Sequence, residues 1–117
     1  MKNILTLALI MFIVPLFSQS IKPEKAYEQI GKDATICGEV KTISSISNTN
    51  ETSMILNFCA DYPNACFTAR IFMSDFSKFK DIFNSYPGKN VCVNGNVIMN
   101  EDKPEIIVHE LKQISFK

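Results

Sequence analysis

The sequence predicts a mainly β domain: a five-stranded barrel, one helix between the third and fourth strands, and a short helix in front. Three observations carry this. Five stretches alternate apolar and polar residues with a period of two, as half-buried strands do. One stretch, 74–86, instead spaces its apolar residues by threes, which favours a helical face. Polar segments bearing Pro, Gly or Asn separate the stretches and punctuate the chain.

Each element can be justified in order. In 21–33, Pro23 fits a first helical turn, Ala26, Tyr27 and Ile30 form a small apolar stripe, and Gly31 can end the helix. Residues 34–46 place Ala34, Ile36, Gly38 and Val40 in one phase and Thr35, Cys37, Glu39 and Lys41 in the other. Residues 47–51 are a polar turn. Residues 52–59 form the second strand, with Met54, Leu56 and Phe58 toward the core. Residues 60–65 form a loop held by Pro63 and Asn64. Residues 66–73 form the third strand, with Phe67, Ala69, Ile71 and Met73 inward. In 74–86, Phe76, Phe79, Ile82, Phe83 and Tyr86 share a helical face; Ser74 suits the N-cap, Asp75 the first turn, and Pro87-Gly88 stops the helix. Residues 90–98 carry Val91, Val93, Gly95 and Val97 in phase. After a turn at 100–104, residues 105–116 form a fifth strand, bent near Glu110-Leu111. This order is the plan of an OB-fold. Another small α+β sheet of five strands is the competing architecture.

The chain's 117 residues suit one small domain. Twelve Lys+Arg balance twelve Asp+Glu, so there is no global basic field to hold polyanions non-specifically. Charged residues at 21% and hydrophobic ones at 46% indicate a packed globule rather than a disordered chain. The start reads as an export signal over 1–20. Met1-Lys2-Asn3 is positively charged, residues 4–17 are mostly apolar, and Ser18-Gln19-Ser20 supplies small residues. Cleavage after Ser18 or Ser20 leaves a single domain over 21–117, secreted or periplasmic, with no membrane span. The apolar run is short for a membrane span, which counts against an uncleaved anchor.

Export makes disulfides the default for Cys37, Cys59, Cys66 and Cys92. Zinc would call for paired or clustered Cys and His, whereas the chain has widely spaced cysteines and the lone His109. Four cysteines allow three pairings, and the strand plan chooses among them. Cys37 and Cys92 lie in the outward phase of strands one and four, which are neighbours in an OB barrel. Cys59 ends strand two and Cys66 begins strand three, across one hairpin. The expected pairs are Cys37–Cys92 and Cys59–Cys66.

Four stretches stand out: residues 30–38 (Ile-Gly-Lys-Asp-Ala-Thr-Ile-Cys-Gly), residues 67–72 (Phe-Thr-Ala-Arg-Ile-Phe) with Phe79, residues 88–95 (Gly-Lys-Asn-Val-Cys-Val-Asn-Gly), and 103–108 through Ile114. Together they resemble a family of small exported bacterial OB-fold domains related to nucleic-acid-binding modules. The resemblance covers nearly the whole mature chain and rests on core residues, glycines and the Cys37/Cys92 pair. Cys59 and Cys66 depart from the family's pattern. So does the acidic tip at Glu101 and Asp102, which does not suit phosphate.

OB-folds bind ligands on the face of strands two and three, between the loops joining strands one to two and four to five. The expected ligand-binding residues are therefore Asn57, Thr68, Arg70 and Phe72 in the outward phase and Tyr62 on the adjacent loop, with Lys41 and Lys103 at the rim. Phe72 packing under the helix and Arg70 paired with a neighbouring carboxylate are the structural alternatives. The resemblance implies a non-enzymatic module binding single-stranded nucleic acid weakly; an envelope protein or a glycan is the alternative ligand. No cofactor or metal is expected. A nuclease would need clustered carboxylates with several arginines, and this chain has only Arg70. His109 has no nucleophile motif around it and reads as an exposed residue.

Overall fold

The computed structural model describes residues 19–48 and 50–117. Of the leader expected over 1–20, residues 1–18 lie outside the described residues. Seven strands are present among those described: β1 (Ser20–Ile21), β2 (Asp33–Ser47), β3 (Thr52–Phe58), β4 (Phe67–Phe72), β5 (Asn90–Asn100), β6 (Lys103–Ile107) and β7 (Ile114–Phe116). Among the described residues, helical structure is confined to α1 (Met73–Phe76) and the 3₁₀ turns Pro23–Gln29, Phe83–Ser85 and Leu111–Gln113. No helix among the described residues is long and apolar enough to cross a membrane.

The pairings form a closed ring. β2 pairs antiparallel with β3, and β3 with β4. β4 runs parallel to β6, β6 pairs antiparallel with β5, and β5 returns to β2. Closure is made by the length of β2: Asp33 to Glu39 pair with β5, and Val40 to Ser47 pair with β3. The two short strands are additions, β1 parallel to β2 and β7 antiparallel to β5. Both expected disulfides are present. Cys37 faces Cys92 across β2 and β5, with Cα atoms 4.0 Å apart, and Cys59 joins Cys66 at the ends of the β3–β4 hairpin.

Inside the ring, Ile36, Val40, Leu56, Phe58, Phe67, Ala69, Ile71, Val91, Val93, Val97 and Ile106 are buried. The alternation of β2 does not run unbroken over 34–46. Val40 faces Phe58 but Thr42 faces Asn57, so Lys41 is an extra residue. This bulge reverses the phase: Ile36 and Val40 are inward before it, Ile43 packs on the core after it, and Thr42, Ser44 and Ile46 fall on the other face.

Three elements differ from expectation. The segment 74–86 is not one helix; α1 has four residues, followed by turns and a 3₁₀ turn. Its bonds run mainly from residue i to i−3, as in Phe79 to Phe76 and Ile82 to Phe79. The spacing explains this. Phe76, Phe79 and Ile82 recur every three residues, which a 3₁₀ winding stacks on one line better than 3.6 residues per turn. The aromatic stripe still reaches the core: Phe79, Phe83 and Tyr86 are buried, and Phe76 meets Phe83 edge-on at 5.2 Å. At the front, residues 23–29 are likewise 3₁₀, with Ala26 buried but Tyr27 exposed. The fifth predicted strand is two strands, β6 and β7, split by the turn at Leu111–Gln113, close to the expected bend. Met73, expected inward, is half exposed because β4 ends before it.

Gly38 explains how the front turn docks. A Cβ there would fall 2.4 Å from Pro23 Cγ and 2.8 Å from its Cδ. Pro23 therefore rests on bare backbone of β2. Gly38→Ala is expected to cost about 1–3 kcal/mol through overpacking, read as a lower urea midpoint. An unchanged midpoint would mean that the turn lifts away without cost.

Candidate ligand groove

Cross-strand partners share a face of a sheet, so the registers define the outer surface of the ring. One row is Thr42, Asn57, Thr68, Glu105 and Ile98. The next is Ser44, Ile55, Arg70 and Ile107, and the third is Ile46, Ser53 and Phe72. Over these rows lies an open groove of about 260 Å³. The strands line it with Ile46, Ser53, Arg70, Phe72, Ile98, Glu105 and Ile107. The loops supply Asn48 and Glu51 from the β2–β3 turn, Tyr62 from the β3–β4 loop and Glu101 from the β5–β6 turn, beside Asn100 at the end of β5.

The loop residues are held in place locally. Asn48 Oδ1 accepts from the backbone N–H groups of Asn50 and Glu51, and the Asn48 N–H donates to the Glu51 carbonyl. Glu101 and Asp102 turn the chain with φ of 52° and 66°, closing the hairpin between Asn100 and Lys103. Lys103 Nζ donates to the Pro63 carbonyl and lies 5.6 Å from the centre of the Tyr62 ring. It thereby ties the β3–β4 loop to the β5–β6 turn.

Arg70, Phe72 and Tyr62 line the groove as a set. Asn57 and Thr68 lie on the expected face but are not open to a ligand. Asn57 is fully buried, its Nδ2 donating to Thr42 Oγ1 at 3.2 Å and Ser44 Oγ at 2.8 Å, while Oδ1 has no hydrogen-bond partner. Thr68 is 3% exposed and donates to Glu105 Oε2 at 2.9 Å. The strand period assigns a residue to a face; it does not say what else covers that face. Lys41 is also misplaced by the sequence reading. It is the bulge residue, 3.7 Å from Glu39, beside a separate hollow with Pro23 and the Cys59–Cys66 pair.

Of the lining residues that sequence reasoning missed, among them Glu51 and Glu101, the most deeply placed charge is Glu105. It is 2% exposed and holds the floor together. Oε2 accepts from Thr68 and from Arg70 Nε at 3.0 Å; Oε1 accepts from Asn100 Nδ2 at 2.9 Å. Arg70 is thus paired with a carboxylate, as one alternative anticipated. A signal existed: Glu105 stands between Pro104 and two isoleucines in a strand with little reason to carry a charge.

Beside the groove, Phe72 lies 6.4 Å from the His109 ring, centre to centre. His109 Nδ1 is 2.8 Å from Asp75 Oδ2, and Lys78 bonds Asp75, Glu110 and the His109 carbonyl. The hydrogen bond from His109, with Lys78 adding to it, holds the Asp75 carboxyl below the usual carboxylate range; Glu110 raises Lys78. The Asp75 contribution is present above the ordinary carboxylate value and is lost as pH falls through its lowered one. These groups are at the surface and join α1 to the β6–β7 connection. No grouping of three or more His, Cys, Asp or Glu suited to a metal occurs among the described residues.

No protein-family model matches the chain, and no curated protein matches it. Solved structures do. The crystal structure of yeast Stn1 and Ten1 superposes with a TM-score of 0.56 over 96% of this chain and 69% of that one, at 13% identity. A protein of Leishmania major Friedlin described as an aspartyl-tRNA synthetase superposes with a TM-score of 0.51 over 90% of this chain, at 15% identity. This chain spans 22% of that protein, a small part of its length. At such identities the likeness concerns the fold alone.

Proposed function

We propose that this chain is a non-enzymatic OB-fold binding module, a small five-stranded barrel that takes an extended ligand in the groove between its β2–β3 and β5–β6 turns. The observation that carries this reading is the groove itself. An apolar floor (Ile46, Phe72, Ile98, Ile107) shares the groove with residues of the β2–β3 and β5–β6 turns and an exposed tyrosine, where OB-folds seat their ligands. The two disulfides fit an oxidising compartment and a secreted or periplasmic location.

The charge of the groove ranks its ligands. Glu51, Glu101 and Glu105 line it with Arg70, and Lys103 stands at its edge beside Tyr62, so acidic side chains outnumber basic ones among the described residues there. A phosphate backbone needs a net positive track, so a protein segment of the cell envelope stands ahead of nucleic acid here. Single-stranded nucleic acid remains the second reading. Arg70, Phe72 and Tyr62 side by side favour it, and the matched structures include one whose name refers to tRNA. A glycan would use the same aromatics.

Titrating the oxidised domain with labelled single-stranded DNA and RNA at low and moderate salt separates these ligands. The expected result is no micromolar, salt-sensitive binding. Binding that falls steeply with salt and disappears in Phe72→Ala would put nucleic acid first.

A further inference from the structure

The charges at the groove are not equivalent. Arg70 and Glu105 form a pair at 3.0 Å, with Glu105 2% exposed, so this cation is internally neutralised. The remaining charged lining is Glu51 and Glu101, both exposed. Among the described residues neither forms an ion pair. They are fifty positions apart in the chain, on separate turns, and both line this groove together with its apolar floor. Tyr62, at the edge, already has an ammonium group 5.6 Å from its ring centre.

We infer that the groove selects a polypeptide segment carrying Lys or Arg between apolar residues, with Glu51 and Glu101 receiving the cation. This rests on the groove being the ligand site, as proposed above. The chemistry suits such a side chain on two counts. Its methylene stem can cover the isoleucine floor while its charged end stays at the wet rim. Two carboxylates that form no ion pair among the described residues gain a cationic partner. An acidic peptide or a polyphosphate meets the opposite balance: two open carboxylates and an arginine already occupied.

The test uses the oxidised domain and three dye-labelled nine-residue peptides that alternate Val with Lys, Val with Ser, or Val with Glu, followed by fluorescence anisotropy at low and moderate salt. The Lys peptide is expected to bind about tenfold more tightly than the Ser peptide, the scale that two rim ion pairs supply, with the Glu peptide weakest. The double variant Glu51→Gln/Glu101→Gln should bring the Lys and Ser peptides within about twofold of each other. Its urea midpoint, unchanged from the wild type, would show that the fold is intact. Equal binding of the Lys and Ser peptides by the wild type, or a Lys preference that survives in the double variant, overturns the charge selection and leaves the groove as a peptide site. Binding of none of the three overturns the peptide reading and this inference together.

Discussion

Arg70→Met should destabilise the domain by about 3–5 kcal/mol, because it leaves the Glu105 carboxylate buried without its cation. Thr68 and Asn100 would still donate to it, but two neutral donors do not replace a guanidinium. The double variant Arg70→Met/Glu105→Leu should recover most of the loss, since a packed apolar pair of similar volume is often as stable as a buried ion pair. Urea denaturation of the two single variants and the double one gives the coupling directly. The result bears on ligand choice as well as stability. If Arg70→Met cost less than about 1 kcal/mol, the pair would behave as a solvated one. Arg70 would then count as a free cation in the groove, and nucleic acid would regain ground over a basic peptide.

Removing the Cys37–Cys92 bond in a Cys37→Ala/Cys92→Ala variant should lower stability by about 4 kcal/mol, on the chain-entropy scale for its separation of 55 residues. The Cys59–Cys66 bond closes only 7 residues, and its loss should cost about 2 kcal/mol on the same scale. A domain this small has little core in reserve, so the first loss takes a large share of its total stability. Equal costs for the two bonds would argue against chain entropy as the source. Peptide mapping of the non-reduced protein checks the pairing itself: a linkage between the two sets would contradict the β2–β5 adjacency.

Much of the fold was legible because it is written in local period and strand order. Alternation placed Leu56, Phe58, Phe67, Ala69, Ile71, Val91, Val93 and Val97 inside, and all are buried. The stripe of Phe76, Phe79, Phe83 and Tyr86 was assigned to the right side of its segment although its winding was not a regular helix. The candidate site was legible only in part. Arg70, Phe72 and Tyr62 line the groove as read from phase and loop position. Asn57 and Thr68 were placed on the right face but not under their cover, and Lys41 was lost to a bulge that no periodicity announces.

The sequence by itself determined the centres of the ring strands and, through the adjacency an OB plan implies, which cysteines meet. These follow from alternation between neighbouring residues and from a short menu of ways to close five strands. Only the tertiary structure decided the charge of the groove. Glu105 reaches Arg70 across 35 positions, and Glu51 and Glu101, fifty apart, line one groove. Whether a charge is spent inside the protein or left for a ligand depends on which distant side chain lies within about 3 Å of it, and no local pattern encodes that distance.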